Sequence, residues 1–243
     1  MLPIFWINRD CDVDRAAFMQ SQFDTMNTPA SRISATVPKN VRKQLNGRTL
    51  KQVVNVGCGS SVTEIACTMS HVRAIQSAYD AGHDTAIICE DDADFAPFSV
   101  NKLRTTMATL PIGWDILQLY TLSLSALKVL STCPEYTCIP HENFRNRRTQ
   151  SLSGTQAYVI NRCGMEKLLH NWNVHPFISG SGEPGTLNAE VFVYRQCNGY
   201  VASRPLVRHN VSLVSTIHPA HTEKYHKKAE VRIDQLFGDH QTL

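Results

Sequence analysis

The chain has no uninterrupted apolar run near the roughly 20 residues that a bilayer core requires, which argues against a membrane-spanning helix. Its opening Leu2-Pro3-Ile4-Phe5-Trp6-Ile7 is apolar but stops at Asn8-Arg9-Asp10 with no basic flank before it. It therefore reads as a buried first strand rather than a signal segment. Strong charge is missing too: 24 Lys and Arg against 21 Asp and Glu leave a net charge of +3, too little to suggest nucleic-acid binding. Eight cysteines are scattered without a paired C-x-x-C spacing, which excludes a zinc-ribbon framework. With no export signal they are expected as reduced thiols in a cytoplasmic setting, and Asn210-Val211-Ser212 as an unmodified sequon. No internal repeat is present. A composition of 42% hydrophobic and 19% charged residues over 243 positions is that of a globular chain with one sizeable core.

What is there alternates between strand-like and helix-like segments, the pattern of an α/β protein with a mostly parallel sheet flanked by helices. After the first strand, Asp12 or Asp14 opens a helix through Phe18 and Phe23. The region 28–59, with Pro29, Pro38, Asn46-Gly47 and many basic residues, reads as a loop-rich excursion. Ser61-Val62-Thr63-Glu64 is a capping-box signature, and Ile65, Met69, Val72 and Tyr79 follow on one helix face that ends near Gly82. Strands are expected at Thr85 to Cys89, at Asp115 to Tyr120 and at Ala157 to Asn161. Helices are expected from Pro97 through Leu110, near Leu122 to Leu130, and from Cys163 to Trp172. A hairpin is expected near Tyr136 to Ile139. Basic residues gather at Arg145, Arg147 and Arg148, and a Gly/Ser-rich loop, Ser179-Gly180-Ser181-Gly182-Glu183-Pro184-Gly185, precedes a helix carrying Asn188 and Glu190. Residues 1–217 form one domain in this reading, and 218–243 a basic, His- and Lys-rich surface segment.

The apolar strand Thr85 to Cys89 runs straight into Glu90-Asp91-Asp92-Ala93-Asp94. Ligands of open α/β sheets bind at the carboxyl ends of strands, and adjacent carboxylates repel unless a cation offsets them. If the extended conformation continues, Glu90, Asp92 and Asp94 share one face and Asp91 takes the other. Carboxylate oxygens suit Mg2+ or Mn2+. The pattern alone also fits a solvated acidic loop, or a metal-dependent phosphohydrolase.

The order of short motifs resembles glycosyltransferase family 25, the group of lipooligosaccharide and procollagen galactosyltransferases. Ile7-Asn8-Arg9 and Asp14-Arg15 match its opening, and Arg32-Ile33-Ser34-Ala35 its next landmark, although the usual Asp-Gly after that alanine is absent. Thr63-Glu64-Ile65-Ala66-Cys67-Thr68-Met69-Ser70-His71 is similar to its Glu-Ile-Gly-Cys-x-x-Ser-His. Ile87-Ile88-Cys89-Glu90-Asp91-Asp92, Trp114-Asp115-Ile116-Leu117, Gly154-Thr155-Gln156-Ala157-Tyr158-Val159-Ile160, and Pro205-Leu206-Val207 with Ser215-Thr216-Ile217 follow in order.

The resemblance implies a GT-A fold, with a Rossmann-like sheet and an inverting transfer of galactose, or glucose, from a UDP-sugar. The acceptor is a glycan or protein hydroxyl, and Mn2+ (or Mg2+) assists. It assigns the metal to Asp92 and Glu90 and Asp91 to the ribose or sugar; Asp94, where the family requires no acid, and His209, the late histidine that GT-A enzymes often supply, are further candidate ligands. Asn8, Arg9, Ser70, His71, Gly154 and Thr155 fall to the donor, and Glu190 is nominated as the base with Asp115 as its competitor. A catalytically silent homologue that binds sugar nucleotide is the third reading beside transferase and phosphohydrolase. The tail residues His218, His221, Lys224, His226, Lys227 and Lys228 suit peripheral contact with an anionic membrane.

Overall fold

Ile4–Asn8 is buried at every position, so the opening apolar run becomes a strand, β1, covered on both faces. The computed structural model describes residues 2–44, 61–145, 152–174, 188–217 and 219–238. Within them, β1 is followed by β2 (Ala30–Ser34), β3 (Thr85–Glu90), β4 (Ala93–Asp94), β5 (Ile116–Gln118), β6 (Cys138–Pro140), β7 (Ala157–Asn161), β8 (Gly199–Ala202) and β9 (Arg208–His209). The longer helices are α1 (Val13–Thr25), α2 (Val62–Asp80), α3 (Val100–Met107), α4 (Leu124–Leu130), α5 (Arg162–Val174), α6 (Ala189–Arg195) and α7 (Lys227–Phe237).

Seven strands form one sheet in the order β2-β1-β3-β7-β5-β8-β6, and β4 and β9 form a separate antiparallel pair. Five of the seven share one direction, while β7 and β6 run against their neighbours. The expected α/β sheet flanked by helices is therefore present, with antiparallel strands inserted at its middle and edge.

Strand alternation sorts the core into two layers. Phe5, Ile7, Ile88 and Ile160 pack with Ile65, Met69, Leu168 and Phe192 of α2, α5 and α6. Ile4, Trp6, Ile87, Cys89 and Val159 pack on the other face with Met19 and Phe23 of α1 and Leu103 of α3. Each fully buried aliphatic side chain stabilises the fold by roughly 1.5–3 kcal/mol, so the sheet holds the site on a rigid base.

The capping box forms as its sequence predicts: Ser61 donates its backbone N–H to Glu64 Oε2 (2.6 Å), and Glu64 donates its N–H to Ser61 Oγ (3.2 Å). Several other expectations are corrected. Pro97 precedes α3 rather than opening it, because Ser99 takes the N-cap and accepts from the Lys102 N–H. β2 was hidden in the excursion, since its partly exposed, polar Ala-Ser-Arg-Ile-Ser sequence lies at the sheet edge and lacks an apolar run. Cys138–Pro140 is not half of a local hairpin; it pairs antiparallel with β8, far along the chain.

The segment expected as a surface tail has a buried side. Ala229 and Ile233 of α7 pack on Tyr120 and Leu127, and Thr222 and His226 of the preceding π-helical turn Thr222–His226 are buried. Asn46-Gly47, Cys58, Arg147, Arg148, the Gly/Ser-rich stretch 179–185 and His218 lie outside the described residues. The seven described cysteines are unpaired, with Cys89 and Cys197 buried. No described helix is long and apolar enough to cross a membrane.

Candidate active site

The carboxyl ends of β1 and β3 open into a cleft of about 250 Å³. One wall is a single face of α2: Thr63, Ala66, Cys67, Ser70 and His71 recur at the three- and four-residue spacing that places side chains one above another. Facing it are Asn8, Arg9, Asp12 and Arg15 from the end of β1 and the start of α1, with Ala35, Thr36 and Pro38 after β2. Glu90, Asp91 and Asp92 form the floor, and Ser215, Thr216 and Ile217 the rim. Ser70 ties two walls together, accepting the Thr36 N–H (2.9 Å) and donating to the Ala66 carbonyl (2.8 Å).

The acidic triplet divides differently from the alternation expected of it. β3 ends at Glu90 and the chain turns at Asp91 and Asp92, so the period of two stops there. Glu90 points toward α2: it accepts the Thr155 hydroxyl (2.6 Å), and its Oε1 lies 3.6 Å from His71 Nε2. Asp91 and Asp92 instead share Arg15, at 2.6 and 3.4 Å, and Asn8 donates its Nδ2 to Asp91 (2.7 Å). Asp94 does not line the cleft, and its Oδ1 accepts the Ala96 N–H (2.8 Å) in its own turn.

These surroundings set the ionisation. Burial pushes Asp91 up to about 7 despite the opposing charge of Arg15. Burial, with the charge of Glu90, also raises Asp92 to about 7. Burial opposes ionisation of Glu90 as well, but the His71 imidazole and the Thr155 hydroxyl outweigh it and hold the carboxyl at about 2.

His209 reaches the same floor through the small second sheet, where Ala93 is paired with His209 and the Asn210 N–H donates to the Asp92 carbonyl (2.8 Å). Its Nδ1 lies 3.8 Å from Asp92 Oδ1. Both atoms are buried and lack a hydrogen-bond partner among the described residues. An imidazole nitrogen and a carboxylate oxygen left unsatisfied and facing one another fit a divalent cation, which takes both donors. His209 is fixed from behind: Glu230 accepts its backbone N–H (2.9 Å), and His226 Nδ1 is 2.9 Å from its Nε2.

Gly154 and Thr155 link the two acids assigned by resemblance. The Gly154 N–H donates to Glu190 Oε1 (2.6 Å), while the next residue, Thr155, donates to Glu90. Gly154 has φ +108°, a conformation that disfavours any side chain, and its carbonyl accepts Tyr194 Oη (2.9 Å) and Gln118 Nε2 (2.9 Å). Burial raises Glu190 to about 7, against the pull of the Gly154 N–H.

Asp115 is at the opposite end of the sheet, where β5 begins. It holds Lys167 (2.7 Å) and accepts the Asn198 N–H (2.7 Å), so its role as a base is corrected to a structural one.

Arg15, Cys67 and Tyr158 carry no individual role legible in the sequence, and His226 only that of a basic tail residue. The signals for the first two were the Asp14-Arg15 match and the four-residue spacing of Cys67 and His71. Nothing in the sequence pairs His226 with His209.

The family model for glycosyltransferase family 25 (LPS biosynthesis protein) matches residues 1–178, which hold the cleft walls and the acidic turn but neither Glu190 nor His209. No curated protein matches the chain. Among solved structures, the crystal structure of mouse xyloside xylosyltransferase 1 in its apo form is similar. It shares 11% identity over 80% of this chain and 67% of that one, with a TM-score of 0.37.

Proposed function

The chain belongs to glycosyltransferase family 25, whose chemistry is glycosyl transfer, and from that premise we propose that it is an inverting, metal-dependent transferase. On this reading it moves a hexose, galactose before glucose, from a UDP-sugar to a hydroxyl of a glycan or protein acceptor. The observation that carries the metal-dependent reading is the buried, unsatisfied pair Asp92 Oδ1 and His209 Nδ1 at the cleft floor.

Asp92 and His209 would hold the cation, Mn2+ or Mg2+, while Glu90, expected beside Asp92 as a ligand, turns to His71 and Thr155 instead. Bound there, it supplies Lewis-acid stabilisation of the charge that gathers on a departing diphosphate. Asn8 and Arg15 fix Asp91 in the floor, within reach of the ribose or sugar that the resemblance assigns to it. Arg9 and Ser70 line the walls for the nucleotide.

Inversion needs a base on the face opposite the leaving group. Glu190 is the carboxyl suited to it: it is not a member of the acidic turn, and a value near 7 lets it take a proton at neutral pH and release it afterwards. The Gly154 N–H holds one oxygen; on this reading the other takes the proton of the acceptor hydroxyl.

The test is release of UDP from UDP-galactose and UDP-glucose with and without Mn2+, in wild type and Asp92→Asn. Uridine-selective, metal-dependent release abolished by the substitution is expected. Turnover of generic phosphate esters without uridine preference would indicate a phosphohydrolase. Nucleotide binding without turnover in any acceptor mixture would indicate a silent homologue, and either result overturns the proposal.

A further inference from the structure

A second group of ligand atoms lies in the cleft wall, separate from the Asp92 and His209 pair. Cys67 Sγ, His71 and one oxygen of Glu90 lie within 4.8 Å of one another. Cys67 and His71 are one helical turn apart on α2, so backbone geometry alone brings thiol and imidazole to the same side. His71 is fully buried, and its Nε2 lies 3.6 Å from Glu90 Oε1, beyond hydrogen-bond distance, with no hydrogen-bond partner among the described residues. All three residues line the cleft, so an ion entering from solvent can reach them.

The surroundings of the group are those of a supported site. Tyr158 Oη lies 3.2 Å from His71 Nδ1 and its ring stacks on the imidazole, which orients Nε2 away from Tyr158 and toward Glu90. The Thr155 hydroxyl fixes Glu90. Outer contacts of this kind orient first ligands and sharpen metal affinity.

We propose that Cys67, His71 and Glu90 form a second cation site, selective for a borderline-soft divalent ion of the Zn2+ type. One sulfur, one imidazole nitrogen and one carboxylate oxygen make a three-ligand set that leaves a coordination position open to the cleft. The sulfur decides the selectivity: Mn2+ and Mg2+ prefer oxygen, whereas Zn2+ and Co2+ accept thiolate. Ligation is by the thiolate, so binding sends the thiol proton of Cys67 to solvent. Where the proposed transferase reading also holds, Zn2+ in this wall inhibits transfer by crowding the donor.

The probe is Co2+ added to the full chain after chelator treatment, with the near-ultraviolet thiolate-to-cobalt charge-transfer band as the readout and Zn2+ as the displacing ion. Wild type is expected to show the band and to lose it on Zn2+ addition. Cys67→Ser is expected to lack it, with Zn2+ affinity reduced about tenfold or more. Absence of the band in wild type, or its persistence in Cys67→Ser, overturns the proposal. If the variant does not fold, Zn2+ protection of Cys67 from alkylation, mapped by mass spectrometry on wild type, decides instead; no protection is the negative result. None of these readouts involves sugar transfer, so the outcome is distinct from success or failure of the transferase reading.

Discussion

His226 Nδ1 lies 2.9 Å from His209 Nε2, and on the far side of the same ring His209 Nδ1 faces Asp92 Oδ1 at 3.8 Å. The π-helical turn before α7 thus reaches the cleft floor through one imidazole. Burial lowers His209, and burial with the neighbouring His209 lowers His226 to about 4, so both rings are neutral at pH 7. For His209 Nδ1 to offer its lone pair, Nε2 must carry the proton and donate it to His226.

His226 is therefore expected to control cation affinity without touching the cation. Replacing it with Leu removes the acceptor and should weaken Mn2+ binding about tenfold or more, read by electron paramagnetic resonance of free Mn2+. Asn presents an oxygen near the position of Nδ1 and should restore most of the affinity. Equal binding by wild type, Leu and Asn variants would show that His209 needs no such partner.

The raised carboxyl of Glu190 gives a pH profile with a definite sign. As a base it works deprotonated, so transfer should fall as pH drops below about 7. Glu190→Gln should reduce kcat by about 10²–10⁴ and flatten that limb. Stability moves the other way. The folded value is above the ordinary 4.5, so the native state binds the extra proton between the two values and stability is lost as pH rises through about 7. Glu190→Gln removes this penalty, and its gain should reach on the order of 3 kcal/mol at pH 8 and vanish near pH 4. Denaturant melts at the two pH values measure it.

Arg15 is the cation that Asp91 and Asp92 share. Its replacement by Met leaves two buried carboxylates without a cationic partner, Asp91 keeping only the Asn8 amide, a loss of about 3–5 kcal/mol for an enclosed pair. The destabilisation should be larger at pH 8 than at pH 6, because both acids titrate near 7 and protonation relieves them. Urea unfolding at both pH values tests this, and a pH-independent loss would contradict the assignment.

Asp115 separates the two candidate bases. Asp115→Asn weakens the contacts to Lys167 and Asn198 and should cost about 1–3 kcal/mol. The folded fraction should keep its kcat/KM. A drop in kcat comparable to that of Glu190→Gln would return Asp115 to the mechanism.

Much of the scaffold was legible because its signals are local. The Ser61 and Glu64 capping box, the apolar run of β3 and the strand Ala157–Asn161 each depend on neighbours a few residues away. β2 was not, since an edge strand need not be apolar when one side is open to solvent. The orientation of Asp91 and Asp92 departs from the expected alternation because alternation holds only while the backbone stays extended, and here it turns after Glu90.

The sequence by itself determined the helices and strands with strong local signals, the acidic end of β3 and the family to which the chain belongs. Tertiary structure decided which distant groups meet there. Pairing of β4 with β9 brings His209 to Asp92, docking of α7 brings His226 to His209, and the loop at Gly154 joins Glu190 to Glu90 through adjacent residues. Helix periodicity and capping act over one or two turns of chain. Contacts between side chains far apart in sequence are fixed only when the sheet and its helices pack.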